Sequence, residues 1–360
     1  RLRLEKIGTA HISSDLSTVP RPRSVILKVY EDDRQPVIVK LARESKVTRE
    51  LDNYDKYIDR KLKGNYVPIL RGQSLLWDIG GIKLSYVGDI DQNFSNFFKT
   101  QPFGKIKHSL NGFFTETWQP HYQQAVEVRN VSLFELYCQV WDREWVTRIR
   151  NFTNCHPEEV MGAENWAMAQ APHPIEWMKA NIIEGRDVSI VEHTQTAITH
   201  GDLHGDNILV DSGNNIWGVD FERTGPGHIL QDFIELESDI IHRLTYSSEN
   251  ITDYIKLCLE IARHKSLKIG FSPTLNFSNP KTNKAFQVIS YLRELAQTIT
   301  KISDAREYFL GLYFDTLFYA TIAKKDDARQ QRAFMLASIL CHRLDHWEDL
   351  WPPQEWLSHL

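Results

Sequence analysis

The stretch that decides the fold is THGDLHGDNILVDSGNNIWGVDF, residues 199–221. It has an apolar run at 208–210, a turn-like segment at 211–215 and a second apolar run at 216–219, which together are typical of a β-hairpin. A hairpin with its loop at 212–215 pairs residue 211 with residue 216 and therefore sets Asn207 directly opposite Asp220. Residues that face each other in such a hairpin have Cβ atoms about 5 Å apart, so the two side chains could share one cation.

The side chains at these positions predict phosphoryl-transfer chemistry. Mg²⁺ takes few protein oxygens and completes its shell with phosphate oxygens, so Asn207 and Asp220 are the predicted Mg²⁺ ligands. Asp202 lies in the loop that leads into the hairpin, where a carboxylate can accept the proton of an attacking hydroxyl. Positioning and charge stabilisation are most of what this reaction requires, so we expect an ATP- and Mg²⁺-dependent kinase that acts on a hydroxyl.

The amino-terminal part supplies the cation that such a site needs for the nucleotide phosphates. Ser24–Tyr30 and Val37–Leu41 are β-branched runs separated by a polar turn, which indicates a hairpin that ends with Lys40 in its second strand. Apolar residues then recur at steps of three or four over 45–62, which predicts a helix with one buried face. We expect Glu50 on this helix to pair with Lys40 and hold the ammonium group towards the nucleotide.

The order of elements indicates the architecture. Strands are predicted at Ser74–Asp78 and Ile82–Val87, on either side of a Gly80-Gly81 turn. Helices dominate the tryptophan-rich stretch 93–196 and the stretch 229–351. This order predicts an α+β protein with two lobes. The predicted domains are a β-rich nucleotide-binding lobe at 1–88 and a mainly helical lobe at 89–360, with a helical insert at about 93–196 and the catalytic hairpin at 199–221.

The bulk composition argues against several other classes of protein. The 360 residues carry a formal net charge of −5 and have a pI near 6.3, which does not favour a general nucleic-acid-binding surface. The four cysteines are scattered and form no CxxC pair, which favours a reducing compartment over a disulfide framework. No run of roughly 18 apolar residues is present, so we expect a cytoplasmic protein without membrane contact.

At the decisive stretch the chain resembles the aminoglycoside phosphotransferase and choline kinase superfamily, through HGDLHGDN at 200–207 and VDFE at 219–222. The surrounding sequence is most similar to bacterial ternary complex-associated, kinase-like domains of multidomain conflict or signalling proteins. The similarity lies in GDLHGDNILVD and IWGVDFERTGPGHILQDFIELESDI. The resemblance is strong over 199–240 and weak before residue 35. It implies a protein kinase-like, two-lobe fold and other domains of a larger protein as partners.

Carried onto this sequence, the resemblance implies Asp202 as the catalytic base, Asn207 and Asp220 as Mg²⁺ ligands, Lys40 on the phosphates and Glu50 as its partner. It also implies that adenine stacks between the lobes against the backbone of Ser85, Tyr86, Val87 and Gly88. Two further residues, His200 and Asp232, are expected to support the structure of the site.

Two departures from protein kinases bear on function. Gly201 replaces the arginine that follows the catalytic-loop histidine in protein kinases, and the segment after Asp220 is short, which argues against regulation by loop phosphorylation. The turn expected to cover the phosphates, Ser13–Arg23, contains no glycine.

Three functions therefore remain open. The first is a kinase whose acceptor pocket is formed by 93–196, with an acceptor whose identity the sequence leaves open. The second is a catalytically silent, kinase-like binding module in a larger assembly, which the glycine-free turn favours. The third is a nucleotidyl transferase or protein-modifying transferase that keeps the metal site.

Overall fold

The computed structural model describes residues 3–10, 24–30, 35–62, 66–87, 90–141, 147–148, 151, 171–183, 191, 193–245, 251–322 and 328–357. The predicted phosphate-covering turn and Gly88 lie outside these residues. Three antiparallel sheets and a large set of helices make up the described fold.

The largest sheet has five strands in the order β1-β2-β3-β5-β4. Its strands are β1 (Arg3–Ala10), β2 (Ser24–Tyr30), β3 (Val37–Arg43), β4 (Leu70–Leu76) and β5 (Ile79–Ser85). The predicted hairpin of β2 and β3 is confirmed, and it pairs Lys40 with Ile26 on one side and with Ile82 of β5 on the other. Lys40 therefore lies in a central strand, not at an edge.

The prediction of a Gly80-Gly81 turn is wrong. The chain turns at Trp77 and Asp78, where Trp77 takes a positive φ of 56°, and both glycines lie within β5. A Cβ atom on Gly80 would stand 2.5 Å from the Cβ atom of Val47. The glycine is therefore required by the close approach of a helix to the sheet, not by a turn.

That helix is α1 (Glu44–Asn53), which continues as a π-helical turn, Tyr54–Ile58. Its apolar face is buried as the periodicity predicts: Val47, Leu51, Tyr54 and Ile58. The helix ends at Ile58 instead of the predicted residue 62, because Asp59 has an extended ψ and Arg60 a left-handed φ of 59°. The buried face of α1 packs on β3 and β5, which brings the helix beside Lys40.

The decisive stretch forms the predicted hairpin, but its register differs by one residue. Strand β9 (Ile208–Asp211) pairs with β10 (Ile216–Gly218) so that Val210 faces Ile216. The loop has three residues instead of the predicted four, because the Asn214 amide donates to the Asp211 carbonyl and Asn214 takes a left-handed φ of 65°. The Val219 amide consequently donates to the Asn207 carbonyl, so Asn207 faces Val219, and Asp220 is the next residue on.

The hairpin belongs to a three-stranded sheet of the order β10-β9-β6, and a second three-stranded sheet has the order β11-β8-β7. Their other strands are β6 (Ile90–Asn93), β7 (Val126–Arg129), β8 (His193–Thr199) and β11 (Gly225–His228). Strands β7 and β8 fall inside the stretch 93–196 that the sequence predicts to be mostly helical. Their partners are distant in the chain, so local periodicity does not reveal them.

Helices make up most of the remaining described chain. They are α2 (Phe94–Thr100), α3 (Phe103–Gly112), α4 (Gln119–Tyr122), α5 (Leu133–Val140), α6 (Pro174–Met178), α7 (Gln231–Asp239), α8 (Ile251–Ile261), α9 (Pro280–Thr300), α10 (Arg306–Ile322), α11 (Ala328–Asp345) and α12 (Gln354–Leu357). Helix α7 is buried along its whole length between α9 and α10. None of the helices in the described ranges combines the length and apolar character that crossing a bilayer requires.

Candidate functional site

The centre of the site is an ammonium group shared by two carboxylates. Lys40 Nζ lies 2.7 Å from Glu50 Oε2 and 2.8 Å from Asp220 Oδ1. Strand β3 supplies the lysine, α1 supplies the glutamate, and Asp220 follows the hairpin β9–β10. The predicted contact between Lys40 and Glu50 is present, and the sequence prediction did not include the direct contact with Asp220.

Burial decides the electrostatics of this triad. Lys40 and Glu50 are only 8% and 5% exposed. Burial disfavours the charge on Lys40, but the carboxylates of Asp220 and Glu50 hold the pKa of that lysine well above its ordinary value. Burial also raises the pKa of Glu50, against the attraction of Lys40. At Asp220 the neighbouring Lys40 outweighs burial and lowers the pKa to about 2, so this carboxylate is ionised at neutral pH.

Asp220 has an unusual backbone conformation. Its φ of 68° and ψ of 71° are left-handed, which costs a residue with a side chain of order 1 kcal/mol. The following Phe221 is buried with its ring centroid 6.0 Å from Tyr54 of the π-helical turn and 5.6 Å from His200. Packing of Phe221 between these side chains holds Asp220 in the strained conformation and directs it to Lys40.

Asp202 lies on the other side of the hairpin. Its carboxylate is 3.3 Å from Arg223 Nη1, and the Asp202 carbonyl accepts a hydrogen bond of 2.9 Å from Asn207 Nδ2. The side chain of Asp202 is 23% exposed, whereas Arg223 is buried. Because the Asn207 nitrogen is committed to Asp202, the atom of this amide that remains for a cation is Oδ1.

Three acids of α7 anchor the loop that carries Asp202. Asp232 accepts from the His200 and Gly201 amides at 3.0 and 3.1 Å. Glu235 accepts from the Leu203 amide and Asp239 from the Gly205 amide, both at 2.8 Å. Their spacing of three and four residues places all three carboxylates on one face of the helix. The loop backbone at 200–205 is therefore held by buried carboxylates.

His200 is fully buried. Its Nε2 lies 3.0 Å from the Val219 carbonyl, and its ring packs beside Trp118. Burial lowers the pKa of His200, which favours the neutral ring. These contacts join the loop to the hairpin.

Position 201 requires glycine for a steric reason. It takes a positive φ of 76°, and a Cβ atom there would stand 2.6 Å from the Arg223 carbonyl oxygen. The segment that follows Asp220 is short, because β11 begins at Gly225. The loop and this segment thus pack directly against each other.

The residues expected to contact adenine lie at the end of β5. Ser85 makes two hydrogen bonds to the backbone of Ile69. Its amide donates to the Ile69 carbonyl at 2.7 Å, and its Oγ accepts from the Ile69 amide at 2.8 Å. The ring of Tyr86 lies under Lys28 Nζ, 3.9 Å from the ring centroid. Val87 is buried. The backbone at 86–87 has left the sheet, so its polar groups are not committed to a strand pair.

The site also contains residues that the sequence prediction missed, namely Arg223, Glu235 and Asp239. A signal for the last two is present, because Asp232, Glu235 and Asp239 are acids at helical spacing. Arg223 gives no such signal, since its contact with Asp202 depends on how the loop and the following segment fold together. No group of three or more His, Cys, Asp or Glu side chains within the described ranges could bind a metal by itself.

Comparison with solved structures identifies the fold. The GDP and kanamycin complex of APH(2")-IIia has a TM-score of 0.51 and 12% identity, and the match covers 96% of this chain and 94% of that chain. Choline kinase LicA from Streptococcus pneumoniae is 12% identical, with a TM-score of 0.43 and coverage of 99% and 90%. An aminoglycoside phosphotransferase from Streptomyces rimosus, bound to ADP and streptomycin, is 11% identical, with a TM-score of 0.42 and coverage of 91% and 94%. The similarity to APH(2")-IIia, the one of these three with a TM-score above 0.5, shows that the chain has an α+β, kinase-like fold.

Comparison at the level of sequence identifies the family. No curated protein matches the chain. The model of the family described as ternary complex associated domain 9 matches residues 126–322, which is more than half of the 360 residues. The matched range contains the loop, the hairpin and α7. The chain belongs to the ternary complex associated domain 9 family.

Proposed function

We propose that the chain is an ATP- and Mg²⁺-dependent phosphotransferase that moves the γ-phosphate to a hydroxyl of a small molecule. The observation that supports this most is the shared ammonium group of Lys40, which lies 2.7 Å from Glu50 and 2.8 Å from Asp220. A buried, charged lysine held beside an ionised aspartate supplies a fixed positive charge for nucleotide phosphates.

The reaction needs one proton acceptor and one departing group. Asp202 takes the proton of the acceptor hydroxyl while the oxygen of that hydroxyl forms a bond to the γ-phosphorus. The bond between that phosphorus and the bridging oxygen of the β-phosphate breaks, and its electron pair leaves with the nucleoside diphosphate. Lys40 contacts the phosphates of the nucleotide, and Arg223 keeps the Asp202 carboxylate oriented through their contact at 3.3 Å.

The residues present fit a magnesium ion. Asp220 offers an ionised carboxylate, since its pKa is about 2, and Asn207 offers its amide oxygen. Mg²⁺ is bound by few protein oxygens when phosphates complete its shell, and when bound it neutralises charge on the transferred group. The side chains that would hold it are these two.

We assign the other parts of the chain to binding of the nucleotide and of the acceptor. The nucleotide base binds beside Ser85, Tyr86 and Val87, and the lobe at 1–88 carries the nucleotide. The stretch 93–196 forms the acceptor pocket. A small molecule is favoured as acceptor because APH(2")-IIia, whose fold is similar, is described as a complex with GDP and kanamycin. For the same reason GTP is to be tested beside ATP as the donor.

The test is transfer of labelled γ-phosphate from ATP or GTP to a panel of amino alcohols, sugars, aminoglycosides and protein hydroxyls. We expect Mg²⁺-dependent transfer to at least one acceptor, and a loss of roughly 10²- to 10⁴-fold in Asp202→Asn, as for removal of a general base. Absence of both hydrolysis and transfer, with Asp202→Asn indistinguishable from the parent, overturns the proposal. A product whose added mass equals AMP instead of phosphate would establish nucleotidyl transfer.

A catalytically silent binding module is the second candidate, and the absence of glycine from Ser13–Arg23 favours it. Glycines let backbone amides approach phosphates closely, and their absence weakens that contact. Thermal unfolding with nucleotide and Mg²⁺ separates the candidates, because a ligand at 100 times its Kd adds about 2.7 kcal/mol of stability. A silent module that has lost the nucleotide shows no shift in melting temperature.

A further inference from the structure

Glu222 lies two residues after Asp220 and contacts α1 through its carboxylate. Its Oε2 is 3.1 Å from Lys46 Nζ, and its Oε1 is 3.2 Å from Arg49 Nη2. The Glu222 side chain is 15% exposed, so these ion pairs are partly shielded from water. Partly buried pairs that share one carboxylate hold their geometry better than exposed pairs do.

The backbone of the same segment also accepts from α1. Arg49 Nε donates to the Glu222 carbonyl at 2.9 Å. Asn53 Nδ2 donates to the Glu222 carbonyl at 2.8 Å and to the Phe221 carbonyl at 3.3 Å. One short segment after Asp220 is therefore bound by three side chains of a single helix.

These three side chains stand on the same side of α1 as Glu50. Lys46, Glu50 and Asn53 are spaced by four and three residues, and Arg49 lies three residues after Lys46 and four before Asn53, so all four lie on one side of α1. Any shift of α1 away from the segment 221–223 would move Glu50 with it. The Lys40 ammonium would then be left with Asp220 alone, at 2.8 Å.

We infer that Glu222 is a positioning residue, which with Lys46, Arg49 and Asn53 fixes α1 so that Glu50 keeps Lys40 available for the nucleotide phosphates. The inference rests on the proposed function. Without this clamp, defined by residues 46, 49, 53 and 222, Glu50 moves away and Lys40 keeps only one of the two carboxylates that orient its ammonium group. An ammonium group held in a less fixed direction binds the nucleotide phosphates more weakly.

The variant that tests this is Glu222→Gln, which keeps the size of the side chain and its backbone acceptors and removes the charge. The matched control is Asp52→Asn, which removes one acidic charge from the exposed side of the same helix. We expect Glu222→Gln to raise KM for the nucleotide about tenfold, the effect of losing a charge-assisted contact, and Asp52→Asn to leave it unchanged. Partial unfolding lowers the amount of active enzyme but does not raise KM. A raised KM therefore indicates a positioning role and not a loss of stability.

A double-mutant cycle locates the effect in the clamp. Lys46→Ala should raise KM by itself but add little when Glu222 is already glutamine, because the two residues act through one contact. Full additivity of the two substitutions would overturn the inference, as would a KM in Glu222→Gln equal to that of the parent.

Hydrogen exchange of the full chain provides a readout that does not need turnover. In Glu222→Gln the amides of α1 should exchange faster than in the parent, whereas those of α10 should be unchanged. If the parent protein transfers no phosphate, the proposed function fails, and nucleotide affinity by calorimetry replaces KM. Unchanged exchange in α1 contradicts the clamp itself, whether or not the protein is an enzyme.

Discussion

The Lys40 ammonium lies 2.8 Å from the Asp220 carboxylate, and this contact joins the central strand of the large sheet to the residue that follows the hairpin. Glu50 completes the group at 2.7 Å. Two carboxylates thus share one buried cation. The arrangement is stable only while the cation is present, because the buried carboxylate of Glu50 and the partly buried carboxylate of Asp220 would repel each other without it.

Lys40→Met should therefore destabilise the protein without nucleotide by about 3–5 kcal/mol, the cost of leaving a buried charge uncompensated. Adding Glu50→Gln to Lys40→Met should recover part of this loss, since it removes the charge of one of the two carboxylates that have lost their cation. Urea unfolding of the parent, both single variants and the double variant measures the coupling. A double variant no more stable than Lys40→Met would show that the carboxylates do not interact.

The close packing of α1 on the sheet leads to a second prediction. Gly80→Ala places a Cβ atom 2.5 Å from that of Val47, so the helix must shift. Overpacking of this kind costs roughly 1–3 kcal/mol. The shift should also weaken nucleotide binding, because Glu50 moves with the helix.

Gly72→Ala is the matched control for Gly80→Ala. Gly72 lies on the neighbouring strand β4, and a Cβ atom there meets no other atom within 4 Å. Thermal unfolding should separate the two variants clearly. Equal melting temperatures would mean that the contact with Val47 relaxes at no cost.

Gly80 also shows what could be read from the sequence. Local patterns correctly predicted β2, the start of β3, the buried face of α1 and the contact between Lys40 and Glu50. The Gly80-Gly81 pair predicts a turn wrongly, because glycine is typical both of turns and of strands approached closely by another element. Only the position of Val47 in the folded chain distinguishes the two.

The hairpin illustrates the same limit at the site. The sequence predicts the strands and the nearness of Asn207 and Asp220, yet the left-handed conformation of Asn214 shortens the loop and moves the register by one residue. The contact of Arg223 with Asp202, and the sheet formed by β7, β8 and β11, join residues far apart in the chain. Such non-local pairings have no periodic signature.

The anchoring of the loop at 200–205 gives a third prediction. Asp232 accepts hydrogen bonds from two buried amides and from the Tyr122 hydroxyl, which lies 2.7 Å from its Oδ2. Asp232→Ala leaves the His200 and Gly201 amides unsatisfied, at about 1–3 kcal/mol for each. Amide exchange at 200–205 should rise by several orders of magnitude, and phosphate transfer should be lost with it.

Tyr122→Phe is the control that separates the effect of the two amide hydrogen bonds to Asp232 from that of the Tyr122 hydroxyl. It removes only the hydroxyl donor and keeps both amide contacts to Asp232, so we expect a loss of about 1 kcal/mol and little change in exchange of the loop. If Tyr122→Phe and Asp232→Ala loosen the loop equally, the amide contacts are not what orders it.

The last prediction concerns pH. Asp315 on α10 is buried, and burial, reinforced by the nearby carboxylates of Asp239 and Asp202, raises its pKa to about 7. Its ordinary value is 3.8, so folding favours the protonated form. The stability that this group contributes is complete below about pH 4 and is lost as the pH rises through 7.

Asp315→Asn keeps the shape of the side chain and removes its titration. Relative to the parent it should therefore gain stability between pH 5 and pH 8, on the order of 1–3 kcal/mol in urea unfolding. Asp55→Asn, an exposed substitution of the same kind, is the control. A constant difference between Asp315→Asn and the parent across this range would contradict the raised pKa.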